Sequence, residues 1–157
     1  MRENIAVGAH LSRPSRREAL AHAEGIAAQL GLGAQLDKLA ANLTVAGRKR
    51  LELARALATG PKLLLLDEVL AGLNPQEIAE VLPVVRAIRD SGVTVLMIEH
   101  VMQAVMNLAD TVFVLNEGRL IAEGPPAQIA GDARVIEAYL GHGAAERLRR
   151  AAEAAHA

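Results

Sequence analysis

Apolar side chains in the first third of this chain recur at helical spacing. Ser15 stands three positions before Glu18, which is the spacing of a capping box, and the helix that it opens is predicted to end near Leu30. A second helix is predicted over residues 46–58, because leucines and alanines there line one face and Gly60 follows. The amino-terminal part of the chain is therefore predicted to be helical.

Beyond residue 60 the pattern changes to short apolar runs that alternate with helical segments. Such alternation is typical of an α/β fold with a parallel sheet flanked by helices. Asn74 and Pro75 supply an N-cap and a first-turn proline for a long helix, and Asn116 to Gly118 form a predicted hairpin turn. The predicted strands are residues 63–66, 93–98, 111–115 and 119–123, and the predicted helices are residues 75–90, 101–108 and 133–140.

The run from Leu63 to Leu66 is leucine at every position, and Asp67 and Glu68 follow it directly. Such a run predicts a strand that is buried on both faces. Ligands of open α/β sheets bind beyond the carboxyl ends of the strands, where these two carboxylates would lie. One of them can hold Mg²⁺ through its oxygens while the other polarises a water molecule. The alternative is an acidic loop that merely ends the strand.

The second predicted strand also ends in polar residues, Glu99 and His100. If the two strands are parallel neighbours, His100 and Glu68 emerge on the same edge of the sheet. A histidine at that edge can donate a hydrogen bond to a phosphate oxygen. Taken alone, His100 is better explained as a surface or helix-capping residue. Together with Asp67 and Glu68, it predicts an edge for phosphate chemistry.

Composition excludes several classes of protein. The 157 residues are 52% apolar, carry a formal net charge of −1 and include no cysteine. A net charge close to zero gives no indication of the basic patch that binds nucleic acid, and without cysteine the chain has neither disulfides nor thiolate metal sites. No apolar run approaches the roughly 20 residues that span a bilayer. We therefore expect a soluble, intracellular protein.

The order of the motifs resembles the second half of an ATP-binding cassette (ABC) ATPase. The resemblance covers roughly residues 3–141, and its two ends are most similar to the ATPase subunits of branched-chain amino acid importers. It implies an incomplete P-loop NTPase sheet flanked by helices, with an amino-terminal helical subdomain. The similar segments are LTVAGRKRLELARAL at residues 43–57, PKLLLLDE at 61–68, AGLNP at 71–75, VTVLMIEH at 93–100 and DTVFVLNEGRLIAEGPP at 110–126.

The resemblance implies a role for each group at the predicted sheet edge. Asp67 would be the Walker B aspartate that holds Mg²⁺ through water, and Glu68 would be the catalytic base that polarises the attacking water. His100 would be the switch histidine that contacts the γ-phosphate of ATP. The D-loop, which crosses to a partner subunit, would consist of Ala71, Gly72, Leu73 and Asn74.

The resemblance also places a signature loop, which contacts ATP held by the partner subunit, before the second predicted helix. Thr44 keeps a hydroxyl for the phosphate, but Val45 and Ala46 replace the usual glycines. Backbone amides approach a phosphate best where no Cβ intervenes, so we expect a degenerate loop that binds more weakly. Alternatively, these residues only begin a helix, whose free amides suit an anion anyway. The signature positions are Leu43, Thr44, Val45, Ala46 and Gly47.

The sequence contains no Walker A motif, G-x-x-x-x-G-K-[ST]. That P-loop supplies the amides and the lysine that hold the β- and γ-phosphates of ATP. We therefore expect the chain to begin inside the helical subdomain, through a misassigned start, a truncated gene or a half that is a separate polypeptide. The isolated chain is predicted to hydrolyse ATP negligibly.

The resemblance implies three segments and a set of partners. The segments are a helical signature subdomain (1–59), half of the ATPase core with a β-hairpin (60–124), and carboxyl-terminal helices with a tail (125–157). The partners would be a second ABC ATPase subunit and membrane permease subunits, without nucleic acid and without direct membrane insertion. The protein would lie in the cytoplasm, on the inner face of the membrane.

Two other functions fit parts of the pattern. A response-regulator receiver would use Asp67 as its phosphoacceptor, but it needs an acidic pair after an earlier strand, and no strand is predicted before residue 62. A non-catalytic ABC fragment would keep the permease-facing helical surface and act only as an interaction module. ATP turnover by the pure chain would distinguish an ATPase from that module.

Overall fold

The computed structural model describes residues 1–141, 143, 144, 146 and 147. The chain divides into two compact units, Met1–Val101 and Met102–Ala157. Among the described residues, no helix has both the length and the apolar character needed to cross a membrane. The predicted segment boundaries at residues 59 and 124 stay predictions.

The amino-terminal unit places helices before and between two strands. Short 3-10 turns at Gly33–Gln35 and Ala40–Asn42 connect the second and third helices. The elements are α1 (Arg2–Gly8), α2 (Arg16–Gln29), α3 (Val45–Leu57), β1 (Leu63–Asp67), α4 (Pro75–Asp90) and β2 (Thr94–Ile98).

The predicted helix starts are confirmed by their hydrogen bonds. The hydroxyl of Ser15 accepts the backbone N–H of Glu18 at 3.2 Å, which begins α2. Asn74 begins α4 with a complete capping box: its side-chain oxygen accepts the N–H of Glu77, and the Glu77 carboxylate accepts the N–H of Asn74, both at 3.0 Å. The Asn74 cap fixes where the chain leaves the loop that follows β1.

Helix α1 was not predicted, and it packs against α2 and α3. Ile5 on α1 is fully buried. Gly8 at its end approaches α3 so closely that a Cβ added there would lie 2.3 Å from the carbonyl oxygen of Arg55. Only glycine permits this approach of the two backbones.

Strands β1 and β2 pair in parallel, with Leu63 opposite Thr94 and Asp67 opposite Ile98. The parallel arrangement was predicted, but the burial of β1 on both faces was wrong. Leu64 and Leu66 are buried, whereas Leu63 and Leu65 are 51% and 65% exposed. Within the described residues no further strand joins this pair and nothing covers its second face, so an all-leucine strand is buried on one side only.

The carboxyl-terminal unit is built around the predicted hairpin. Its strands are antiparallel, and Glu117 and Gly118 at the turn adopt left-handed backbone conformations with φ of 50° and 74°. Apolar residues of the hairpin and of the helices after it form a small core: Ala122, Ile129 and Val135, with Val112 and Val114 packed against them. The elements are α5 (Met102–Leu108), β3 (Val112–Asn116), β4 (Arg119–Gly124), α6 (Pro126–Gly131) and α7 (Ala133–Leu140).

The predicted fold class, α/β with a parallel sheet and helices, is confirmed. The parallel pair and the antiparallel hairpin are separate two-stranded sheets in the described part of the chain. Helix α6 was not predicted, because Pro125 and Pro126 were interpreted as the end of the hairpin. A proline is compatible with the first turn of a helix, and Pro126 begins α6 in this way.

Candidate functional site

The carboxyl ends of β1 and β2 bring Glu68 and His100 together. Because Asp67 pairs with Ile98, the residues that follow each strand emerge at the same edge of the sheet. Nδ1 of His100 lies 3.7 Å from Oε1 of Glu68, and both side chains are more than half exposed. Two groups able to accept and donate protons therefore meet at a surface that a ligand can reach.

Glu68 has a left-handed backbone conformation, with φ of 46°. Its N–H donates to the carbonyl of Ile98, and its own carbonyl accepts the N–H of Ala71, both at 3.0 Å. A non-glycine residue in such a conformation costs on the order of 1–3 kcal/mol, and residues of this kind cluster at functional sites. The strain at Glu68 is thus an independent indication that this edge has a function.

The loop after Glu68 is anchored in the core. Val69 and Leu70 are buried, and the N–H of Leu70 donates to Oε1 of Glu99 at 3.0 Å. Glu99 was predicted only to be a polar residue at the end of the second strand, with no role of its own. A carboxylate directly before the candidate histidine was the one feature of the sequence that could have drawn attention to it.

Asp67 ends β1 and is exposed. The described residues contain no cluster of three or more histidine, cysteine or acidic side chains that could hold a metal ion by themselves. Mg²⁺ does not need such a cluster, because it is commonly bound by one or two carboxylates together with water and substrate phosphates. Asp67 therefore fits a magnesium ion that is shared with a phosphate ligand.

The segment predicted to be the D-loop connects Leu70 to α4. Gly72 at its tip has a φ of 78° and is exposed. The side chain of Asn74 is engaged in the capping box of α4. The segment is therefore anchored at both ends, by the buried side chain of Leu70 and by the capped start of α4.

The predicted signature residues form a separate group at the start of α3. The hydroxyl of Thr44 accepts the N–H of Gly47 at 3.1 Å, so the group assigned to a phosphate caps its own helix in this structure. The guanidinium of Arg48 donates to the carbonyl of Leu43 at 2.9 Å. Leu43, Ala46 and Gly47 are buried, whereas Thr44 and Val45 are exposed.

Two family models match the chain. The model of the ABC transporter family matches residues 1–71, which include α1 to β1 and both candidate carboxylates. The model of the branched-chain amino acid ATP-binding cassette transporter matches residues 119–145. The chain is similar to the ABC transporter family in both of these segments.

Curated proteins agree with that similarity. The chain is 40% identical over 130 residues to the high-affinity branched-chain amino acid transport ATP-binding protein LivG of Escherichia coli strain K12. It is also 40% identical over 130 residues to the corresponding protein BraF of Pseudomonas aeruginosa. Each match covers 82% of this chain and 51% of the relative, so the chain spans about half the length of the curated relatives that it matches.

A solved structure supports the fold. The chain superposes on the crystal structure of an ATP-binding cassette of an ABC transporter in its ADP conformation, with a TM-score of 0.75 and 32% sequence identity. The match covers 82% of this chain and 52% of that structure. The predicted resemblance to the second half of an ABC ATP-binding subunit is thereby confirmed, whereas the roles of individual residues stay predictions.

Proposed function

We propose that this chain supplies the magnesium-binding and water-activating half of an ATP site in the ATPase subunit of a branched-chain amino acid importer. The observation that carries the proposal is the meeting of Glu68 and His100 at 3.7 Å beyond a parallel strand pair. The strained backbone of Glu68 supports it, because strain is retained where geometry serves function. The substrate class rests on the relatives, which are named for branched-chain amino acid transport.

Each group at the edge has one task in this proposal. Asp67 holds Mg²⁺, which when bound neutralises charge on the phosphates of ATP. Glu68 accepts a hydrogen bond from the attacking water and polarises it. His100 donates a hydrogen bond to the γ-phosphate, and its distance from Glu68 lets both side chains contact the same small group of atoms.

Turnover also requires a phosphate cradle, which the sequence does not contain. Positioning and electrostatic stabilisation provide most of the catalysis in phosphoryl transfer. Glu68 and His100 therefore act only when a P-loop from elsewhere in the functional assembly holds ATP against them. The chain alone is expected to release phosphate from ATP at a negligible rate.

The partners in this proposal are a second ABC ATPase subunit and membrane permease subunits. The D-loop, residues 71–74, and the signature residues, 43–47, contact the ATP site that is completed by the second subunit. The assembly lies on the cytoplasmic face of the membrane, held there by the permease. Pull-down of this chain with its permease from membranes, and its absence from the pellet of a permease-free strain, would support that placement.

The test restores the absent cradle. The portion of Escherichia coli LivG that precedes the region similar to this chain is fused in front of it. ATP binding by this fusion and its release of phosphate are then measured. We expect turnover by the fusion and a reduction of about 10²-fold or more for His100→Ala, with nucleotide affinity nearly unchanged. Glu123→Gln, a change at an exposed carboxylate on β4, is the matched control and should retain turnover. A fusion that folds and binds ATP without hydrolysing it would overturn the proposal.

A second candidate function is that of a non-catalytic interaction module. It is favoured by the signature residues, where Val45 and Ala46 replace the usual glycines and their Cβ atoms limit how closely the backbone amides can approach a phosphate. In that case the fusion would bind the permease but show no turnover that depends on Glu68. The same fusion protein therefore distinguishes the two functions.

A further inference from the structure

The end of β2 holds the turn after β1 through three consecutive residues. The carbonyl of Ile98 accepts the N–H of Glu68, and the carboxylate of Glu99 accepts the N–H of Leu70, both at 3.0 Å. The third residue, His100, faces the Glu68 side chain. The backbone on either side of the Glu68 side chain is thus held by hydrogen bonds to the last residue of β2 and to the residue that follows it.

The contact made by Glu99 is the one that closes the turn. Leu70 is 1% exposed, so its N–H has little access to solvent and depends on a partner within the protein. A hydrogen bond from a backbone amide to a carboxylate is stronger than one to a neutral acceptor. Losing it would leave a buried donor unsatisfied, and this favours a different backbone conformation for the turn.

The two oxygens of the Glu99 carboxylate differ in their hydrogen bonds. Its second oxygen, Oε2, is shielded from solvent and accepts no hydrogen bond from the residues that the structure describes. The Leu70 amide is therefore the hydrogen-bond donor that orients this carboxylate within the described part of the chain. A surface glutamate would have both oxygens in water, whereas the carboxylate of Glu99 is sheltered and accepts a hydrogen bond from one backbone amide. This arrangement indicates that Glu99 positions the backbone of the turn.

We propose that Glu99 is a positioning residue: its hydrogen bond to Leu70 keeps the turn from Glu68 to Ala71 closed, and so keeps Glu68 in its left-handed conformation beside His100. The catalytic consequence rests on the proposed function, in which Glu68 polarises the attacking water. The structural consequence is independent of the proposed function, because Glu99 can hold the turn whether or not Glu68 is a catalytic base.

The structural test is hydrogen–deuterium exchange of the full chain, followed by mass spectrometry of a peptide that contains residues 67–73. A peptide from the middle of α4 serves as the internal reference for global stability. Glu99→Ala should speed exchange in the first peptide about tenfold or more without an equal change in α4. Glu99→Gln keeps an acceptor oxygen in place and should restore most of the protection, whereas Glu123→Ala should change neither peptide.

Unchanged exchange of residues 67–73 in Glu99→Ala would overturn the proposal. If that variant does not fold, Glu99→Asp decides, because its carboxylate is one methylene shorter and cannot reach Leu70 at the same backbone position. The proposal expects faster exchange of residues 67–73 in Glu99→Asp, and parental protection there would contradict it.

The functional test uses the LivG fusion. Glu99→Ala should lower kcat about tenfold or more with ATP affinity within about twofold of the parent, and Glu99→Gln should recover most of that loss. A loss of kcat in Glu99→Gln as large as that in Glu99→Ala would contradict a positioning role. If the parental fusion shows no turnover at all, the proposed function fails, while the exchange measurement still decides whether Glu99 holds the turn.

Discussion

At the scale of single residues, the candidate groups that could be predicted from the sequence are those at the ends of strands. Asp67, Glu68 and His100 could be predicted because each lies at the carboxyl end of an apolar strand and carries a side chain suited to phosphate chemistry. The role of Glu99 could not be predicted, because its partner is a backbone N–H 29 residues earlier in the chain. Every residue except proline carries such a donor, so no pattern of side chains identifies this one.

The ion pair between Asp132 and Arg134 gives a prediction for pH. Hydrogen bonds from the Arg134 side chain and backbone lower the pKa of Asp132 from its ordinary 3.8 to about 2. Because the pKa in the folded state is the lower one, the stabilisation is fully present above about pH 4 and is lost as the pH falls towards 2. In Arg134→Ala, the carboxyl carbon of Asp132 followed by NMR should titrate closer to pH 3.8, and Arg119→Ala should leave it unchanged. A titration near pH 2 in Arg134→Ala would show that the backbone alone lowers the pKa.

At the scale of elements, strong local patterns predicted the structure and weak ones did not. Helix α4 has an N-cap, a first-turn proline and an acidic first turn, and its predicted bounds match the structure. Helix α1 has only seven residues and no side-chain cap, so it depends on packing against α2 and α3. The burial of β1 was misjudged for a related reason: an all-leucine strand indicates apolar surroundings but not how many of its faces the chain itself covers.

Two glycines in helices should respond to alanine in opposite ways. Gly8→Ala would force a Cβ to within 2.3 Å of the Arg55 carbonyl, and separating α1 from α3 should cost about 1–3 kcal/mol of the free energy of unfolding. Gly25→Ala, inside α2 with nothing within 4 Å of the added Cβ, should stabilise by about 0.5–1 kcal/mol. Chemical denaturation of both variants checks this pair, and equal effects would contradict the close packing of α1 on α3.

At the scale of the whole molecule, the exposed face of the parallel pair is the least expected feature. Leu63, Leu65, Leu96 and Ile98 lie on this face, and each is at least 51% exposed. The register places Asp67 on the same face, next to Ile98. An apolar surface that leads to a candidate magnesium ligand is consistent with a proposed ATP site that another segment completes.

This face should make the isolated chain self-associate, because apolar sheet faces and unpaired strand edges recruit other chains. Leu65→Lys should shift the chain towards monomer in sedimentation velocity. Leu11→Lys is the matched control, since Leu11 is 98% exposed but lies in the loop after α1, and it should leave association unchanged. The remaining portion of LivG, added as a separate polypeptide, should suppress association in the parent. A monomeric parent with a sharp cooperative thermal transition would contradict this prediction.

The most direct test of the central claim is the replacement of Glu68 by glutamine in the LivG fusion, with ATP affinity and phosphate release measured on the same preparation. The amide keeps the shape of the side chain and leaves Asp67 to hold Mg²⁺, but it removes the charge that polarises water. We predict nearly parental ATP affinity and a loss of turnover of about 10²–10⁴-fold. Turnover within a few-fold of the parent would contradict the assignment of this edge as the catalytic half of an ATP site.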